Sequence, residues 1–130
     1  METYIRAAII KDRKILVVQQ MWHGWYLPGI NKLDYESDLE CLSRGVRSCL
    51  SGSKIKNISF YKEFNCGGGR SRVYSETRIY FAAFIGEEGM PSGKIRDKLW
   101  LKYDLLDLDS DKFPSITQKV IESLHKDGKI

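Results

Sequence analysis

The residues of this chain best suited to chemistry are those that could hold an anion or stack on a flat ring. Trp22, His23, Trp25 and Tyr26 crowd the approach to the turn Pro28-Gly29. An aromatic face beside an anion-holding loop can stack on a base, whereas alternation along a strand predicts that at least one of the two tryptophans faces the core. His23 has no carboxylate neighbour in sequence, which favours a surface residue over a general base. Arg44 and Arg47 make a positive stretch that also carries the neutral Gly45, Ser48 and Cys49. Gly67-Gly68-Gly69 with Arg70 and Arg72 could cradle an anion through backbone N–H groups and guanidinium forks. That run lacks the lysine and the strand–helix context of a P-loop, and a hairpin tip is its simpler reading. The candidate carboxylates are scattered, Glu36 and Glu40 on one side of the chain's middle and Glu87 and Glu88 on the other.

These groups must be positioned by few elements. The apolar run Tyr4 to Ile10, the charged turn Lys11-Asp12-Arg13-Lys14 and the β-branched run Ile15 to Gln19 predict an opening hairpin. Ser37-Asp38-Leu39-Glu40 has capping-box spacing, which gives Glu40 a structural role at a helix start. Leu39, Leu42, Val46, Cys49 and Leu50 then recur at helical spacing as one apolar face. Gly45, in mid-helix, costs about 1 kcal/mol relative to alanine, and Ser51-Gly52-Ser53 ends the helix. Strands are predicted over 54–64, 73–85 and 99–101. A flexible turn is expected at 65–71, a loop at 86–93 carrying Glu87 and Glu88, and a single turn at 104–109. Pro114 suits the first turn of a closing helix with Ile116, Val120, Ile121 and Leu124 buried and Gly128 at its C-terminal cap.

With 130 residues the chain has the length of one domain that needs no disulfide or structural metal to bury a core. No run approaches the ~18 apolar residues of a membrane span, and Met1-Glu2-Thr3-Tyr4 does not open a signal peptide. Three cysteines, Cys41, Cys49 and Cys66, are an odd number without C-x-x-C spacing, which points to reduced thiols and a cytoplasmic setting. The net charge of +4 suits a phosphate-bearing ligand and falls short of a nucleic-acid binder.

From Trp25-Tyr26-Leu27-Pro28-Gly29 to Gly52 the chain resembles the Nudix box, the loop–helix–loop of the MutT-like hydrolases of nucleoside-diphosphate-X compounds. That box runs G-x5-E-x7-R-E-U-x-E-E-x-G-U after Trp-x-Leu-Pro-Gly. With Ile30 on its first glycine, Glu36 falls on the first glutamate and Arg44 on the arginine, while Gly45, Ser48 and Cys49 fall on the three helix glutamates. Leu99-Trp100-Leu101-Lys102-Tyr103-Asp104-Leu105-Leu106 is similar to the segment before the family's last helix, so the resemblance covers nearly the whole chain. It implies an α/β fold over residues 1–130, a Nudix-like α/β/α sandwich with a central mixed β-sheet. It also implies that Glu36 and Arg44 brace the loop against the helix, and that Glu87 and Glu88 sit where several members place an additional catalytic glutamate. Thr117, after Phe113-Pro114, matches a polar residue that reads the purine edge in mutator-type members. Ile30 and Tyr35 stand where the family has glycines, which predicts a different path for this loop.

The implied reaction is cleavage of a pyrophosphate linkage, in which a divalent cation screens the diphosphate and polarises phosphorus. Mg²⁺ is a hard ion held by carboxylates and substrate phosphates, and Gly45, Ser48 and Cys49 supply no carboxylate. No metal ligand is therefore assigned. Three functions of different class follow. The first is a catalytically impaired protein that binds a nucleotide or other diphosphate compound, with Trp22, Trp25, Arg44, Arg47 and Thr117 as candidate contacts. The second is a divergent hydrolase in which Glu36, Glu40, Glu87 and Glu88 act in place of the lost glutamates and hold Mg²⁺ or Mn²⁺. The third is an interaction module for protein or nucleic acid. The residues favour the first. No membrane partner is expected, and a homodimer is a state the resemblance allows without locating an interface.

Overall fold

The computed structural model describes residues 2–68, 71–105 and 111–130. Alternation of side chains along two neighbouring strands organises the whole molecule. In β1 (Glu2–Lys11), Ile5, Ala7 and Ile9 point to one face and Ala8 to the other. In β2 (Lys14–Gln20), Leu16 and Val18 join the first set and Ile15 and Val17 the second. Both strands are thus apolar on both sides, as strands covered by helices on two faces must be. Helix α1 (Asp38–Cys49) packs Cys41, Leu42, Val46 and Cys49 on the first face. Helix α2 (Ser115–Lys126) packs Val120, Ile121 and Leu124 on the second. The result is an α/β/α sandwich.

The strands between them are β3 (Gly24–Tyr26), β4 (Gly29–Asn31), β5 (Lys54–Gly68), β6 (Ser71–Ile85) and β7 (Ile95–Lys102). The central path of the sheet runs β3-β2-β1-β6-β5. It is mixed, because β1 pairs with β6 in parallel while the other pairings are antiparallel. The opening hairpin is present, but β1 and β2 pair only at its turn, Ile10 with Ile15 and Lys11 with Lys14. Beyond it they part: β1 takes β4 along Tyr4–Arg6, and β2 takes β3 along Val18–Gln20 and β7 on its other edge. The fork between β4 and β3 is the geometric origin of the cleft described below.

Several sequence expectations shift here. The aromatic approach to Pro28-Gly29 contains the short strand β3, and Gly29 opens β4. Strand β5 runs through Asn65–Gly68, where a flexible turn is expected, and β6 resumes at Ser71. The anion-cradle reading of Gly67–Arg72 turns on Gly69 and Arg70 and on side chains outside the described residues. A 3-10 turn covers Tyr103–Leu105; the remainder of the turn expected at 104–109 also lies outside them. Leu39 is 52% exposed, and the buried face of α1 includes Cys41 and Gly45 instead. The stripe is rotated because β4 lies against the Cys41–Gly45–Cys49 side of the helix. In α2, Thr117 takes the buried place expected of Ile116. Gly128 follows α2 with φ +75°, the left-handed conformation expected of a residue past a helix end. No helix among the described residues is long and apolar enough to cross a membrane.

Candidate functional site

The loop before α1 is held by one ion pair. Glu36 is 7% exposed and accepts from the Leu33 N–H at 2.9 Å, from Arg44 Nη2 at 2.6 Å and from Arg44 Nε at 3.0 Å. Arg44 also donates to the Asn31 carbonyl at 3.0 Å, tying α1 to the end of β4. The Arg44 fork and the Leu33 N–H hold the Glu36 carboxyl down at about 2. Beside it, burial and the Glu36 carboxylate push the Cys41 thiol up to about 12. Neither Ile30 nor Tyr35 has positive φ, so this loop requires no glycine at either position. Glu40 closes the capping box, donating through its N–H to Ser37 Oγ at 3.2 Å and accepting from the Ser37 N–H at 3.1 Å.

The far end of α1 borders a cleft. Ser48 and Cys49 line a compartment of about 330 Å³ together with Asn31 on β4 and Ser92, Gly93 and Lys94 ahead of β7. A second compartment of about 510 Å³ opens toward α2, lined by Tyr4, His23, Thr77, Pro114, Ile116 and Lys119. The two share the side chains of Arg6, Gln20 and Tyr26. Neither is lined by an aspartate or glutamate. Both are within the size range of small-molecule sites.

Arg6, at the junction, is the distinctive residue. It stands at the fork opposite Gly29. A Cβ on Gly29 would collide with the Ile5 carbonyl oxygen and with Arg6 Cα, so the close approach of β4 requires glycine. Arg6 is 9% exposed. Its Nη1 donates to the Leu27 carbonyl at 2.9 Å, and its Nε has no partner among the described residues. The guanidinium lies 4.7 Å from the ring centre of Tyr26 and 5.2 Å from that of Tyr4. Burial lowers its pKa, opposed by Cys49, Tyr26 and Tyr4, yet arginine remains a cation at any physiological pH.

Arg78 shows how the same sheet treats another arginine. It meets Glu76 at 2.7 Å, Asp38 at 3.0 Å and Glu63 at 3.5 Å, whereas Arg6, more deeply buried, has no carboxylate within ion-pair distance among the described residues. An uncompensated buried charge costs roughly 3–5 kcal/mol. Stacking over the two rings and the bond to the Leu27 carbonyl offset part of that cost without neutralising the charge. A bound anion would neutralise it.

The sequence-derived candidates fall mostly elsewhere. Trp25 packs in the core with the α2-facing side chains, as expected for at least one tryptophan, and lines neither compartment. Trp22 is 92% exposed at the turn between β2 and β3. Arg47 is exposed and Arg44 is committed to Glu36. Thr117 is buried, its hydroxyl donating to the Trp25 carbonyl at 2.7 Å. Glu87 and Glu88 line a different cavity of about 610 Å³ with Lys11, Phe84 and Trp100. There Glu88 is neutralised within the fold, accepting from Trp100 Nε1 at 3.0 Å and lying 3.1 Å from Lys98 Nζ. The cleft around Arg6, whose charge has no carboxylate partner among the described residues, is therefore the better candidate site. Tyr26 and His23, singled out in the sequence, do line this cleft; Arg6 and Tyr4 are missed by sequence reasoning. The available signal was a lone arginine inside an otherwise apolar strand, Ile5-Arg6-Ala7-Ala8-Ile9.

A divalent metal does not fit the donors present. At the helix positions of the expected carboxylates stand Gly45, the neutral hydroxyl of Ser48 and the thiol of Cys49. Burial keeps that thiol protonated, and it donates to the Gly29 carbonyl at 3.6 Å. Arg6 adds a positive charge on the same wall. No group of three or more His, Cys, Asp or Glu converges among the described residues. A hard cation would find neither anionic oxygen nor a favourable field here.

No known sequence family matches this chain, and no curated protein does. Solved structures do match its fold. A NUDIX hydrolase from Nitrosomonas europaea superposes with a TM-score of 0.81 at 16% identity, over 98% of this chain and 90% of that one. A MutT NUDIX hydrolase from Burkholderia pseudomallei gives 0.78 at 20% identity, over 93% and 95%. A bifunctional NMN adenylyltransferase/ADP ribose pyrophosphatase from Francisella tularensis, complexed with AMP and Mn ion, gives 0.70 at 17% identity, over 97% of this chain and 41% of that one. The chain has the Nudix fold.

Proposed function

We propose that this Nudix-fold chain binds a nucleotide or a related phosphate-bearing small molecule in the cleft around Arg6, as a catalytically impaired protein. The observation that carries this reading is the buried Arg6 guanidinium, without a carboxylate among the described residues, at the junction of two compartments that contain no acid. A phosphate oxygen would satisfy a donor and neutralise the charge at once, and charge-assisted bonds to phosphate are the strong ones. Tyr4, Tyr26, Pro114 and Ile116 give the α2-side compartment flat and apolar walls suited to a base or sugar. Lys94 and Lys119 add positive charge at the rims. The likeness to a protein solved with AMP supports AMP as a first ligand to try.

Impairment follows from the donor set at α1. Glu36 and Glu40 are engaged in a brace and a cap at its start, and Glu87 and Glu88 face another cavity.

The test is calorimetry with AMP, ADP, ATP and ADP-ribose, with the same mixtures analysed by chromatography for cleavage. Binding of at least one compound without product formation is expected. A folded protein that binds none of them at millimolar concentration would remove the reading. Rapid metal-dependent cleavage would replace it with the divergent hydrolase.

A further inference from the structure

We propose that Arg6 is a resident cation that makes phosphate binding in this cleft independent of metal. This inference rests on the binding role proposed above and concerns how the same site holds its ligand.

A divalent ion at a phosphate site supplies positive charge and fixed geometry. Both are present here without one. The guanidinium is pinned by the Leu27 carbonyl at 2.9 Å and held over two tyrosine rings. Its position is therefore fixed before any ligand arrives, and such preorganisation lowers the cost of binding. Arg6 lines both compartments, and its guanidinium is a planar fork whose Nη1 is taken by the Leu27 carbonyl while the buried Nε has no partner among the described residues. The charge stands beside the end of α1, where Cys49 faces it from the wall they share. A carboxylate at position 49, where the resemblance implies one for a metal-dependent member, would put a negative charge on the compartment wall that Arg6 also lines and weaken its field. The neutral Cys49 and an Arg6 without a carboxylate partner among the described residues are thus one consistent arrangement, positive from the protein instead of positive from a metal.

A consequence distinguishes the two designs. Mg²⁺ in solution binds the same phosphate oxygens that the guanidinium needs. Added metal should compete with this site rather than complete it.

The experiment uses the intact protein and ADP, titrated once with EDTA and once with excess Mg²⁺. The expected result is full affinity in EDTA and weaker affinity with Mg²⁺. In the same titration the arginine Nε–Hε resonance assigned to Arg6 should shift in the heteronuclear NMR spectrum. Arg6→Met should weaken ADP binding roughly tenfold or more, the loss expected for a charge-assisted bond. Arg6→Lys, which keeps the charge without the fork, should fall between. Binding that is lost in EDTA and restored by Mg²⁺ would overturn the inference while leaving the cleft a ligand site. Undiminished ADP binding by a folded Arg6→Met would also overturn it. Absence of ADP binding under either condition would overturn the inference, and the underlying reading falls with it if AMP, ATP and ADP-ribose also fail to bind.

Discussion

Replacing Gly45 by alanine sets two well-defined effects against each other. A glycine inside a helix is costly, and alanine there should gain about 1 kcal/mol from propensity alone. In this fold, however, a Cβ at position 45 would lie 3.0 Å from Ile30 N, 3.0 Å from Ile30 Cγ2 and 3.1 Å from the Gly29 carbonyl carbon. Two of these three atoms are backbone. They belong to β4, which has little room to retreat. It pairs with β1 through Tyr4–Arg6, and Gly29 already touches the β1 backbone. Forcing a methyl into such a contact costs roughly 1–3 kcal/mol. The steric cost outweighs the gain in propensity, so Gly45→Ala should be destabilised by about 1 kcal/mol, the net of those two figures. For a chain of this size that corresponds to a fall of roughly 4 °C in Tm. Urea unfolding followed by circular dichroism reads it as a lower midpoint at unchanged slope. A midpoint that rises instead would show that α1 and β4 are not packed backbone to helix as described. The same contact bears on function, since a glutamate at this position would have to push β4 away from α1 and open the fork that holds Arg6. Restoring glutamates at Gly45, Ser48 and Cys49 together is therefore not expected to give a Mg²⁺ site.

The Glu36–Arg44 brace predicts a definite pH dependence. The folded pKa of Glu36, about 2, is below its ordinary value of 4.5, so the brace stabilises the fold fully above that ordinary value. Its contribution is lost as pH falls from there through about 2. Glu36→Gln should lower the urea midpoint at pH 7 and flatten the acid limb of the stability profile; a mutant profile parallel to the parent's over that range would contradict the assignment. Thr117→Val removes the hydroxyl that satisfies the Trp25 carbonyl and should cost about 1–3 kcal/mol, measured by calorimetric unfolding. A neutral result would mean that the carbonyl finds another donor.

The features legible in the residues are those that depend on local chemistry. Capping-box spacing at Ser37 and Glu40 placed the start of α1, because the two side chains and the backbone groups they satisfy lie within one turn. The resemblance around Pro28-Gly29, Glu36 and Arg44 led to the sandwich, and that Ser48 and Cys49 stand where the resemblance implies glutamates is visible without coordinates. The rest emerged only from the folded chain. Nothing local in Tyr4 to Ile10 says that the strand forks between two partners, which is what leaves Arg6 at a junction instead of in an ion pair like that of Arg78. Trp25 and Thr117 were ambiguous for the same reason. Each had one role if exposed and another if buried, and their burial is set when α2 packs against β3, segments that meet only after the chain has folded. Where a residue's partners are sequence neighbours, type and spacing suffice; where they come from distant strands, charge and volume acquire meaning only from what lies opposite.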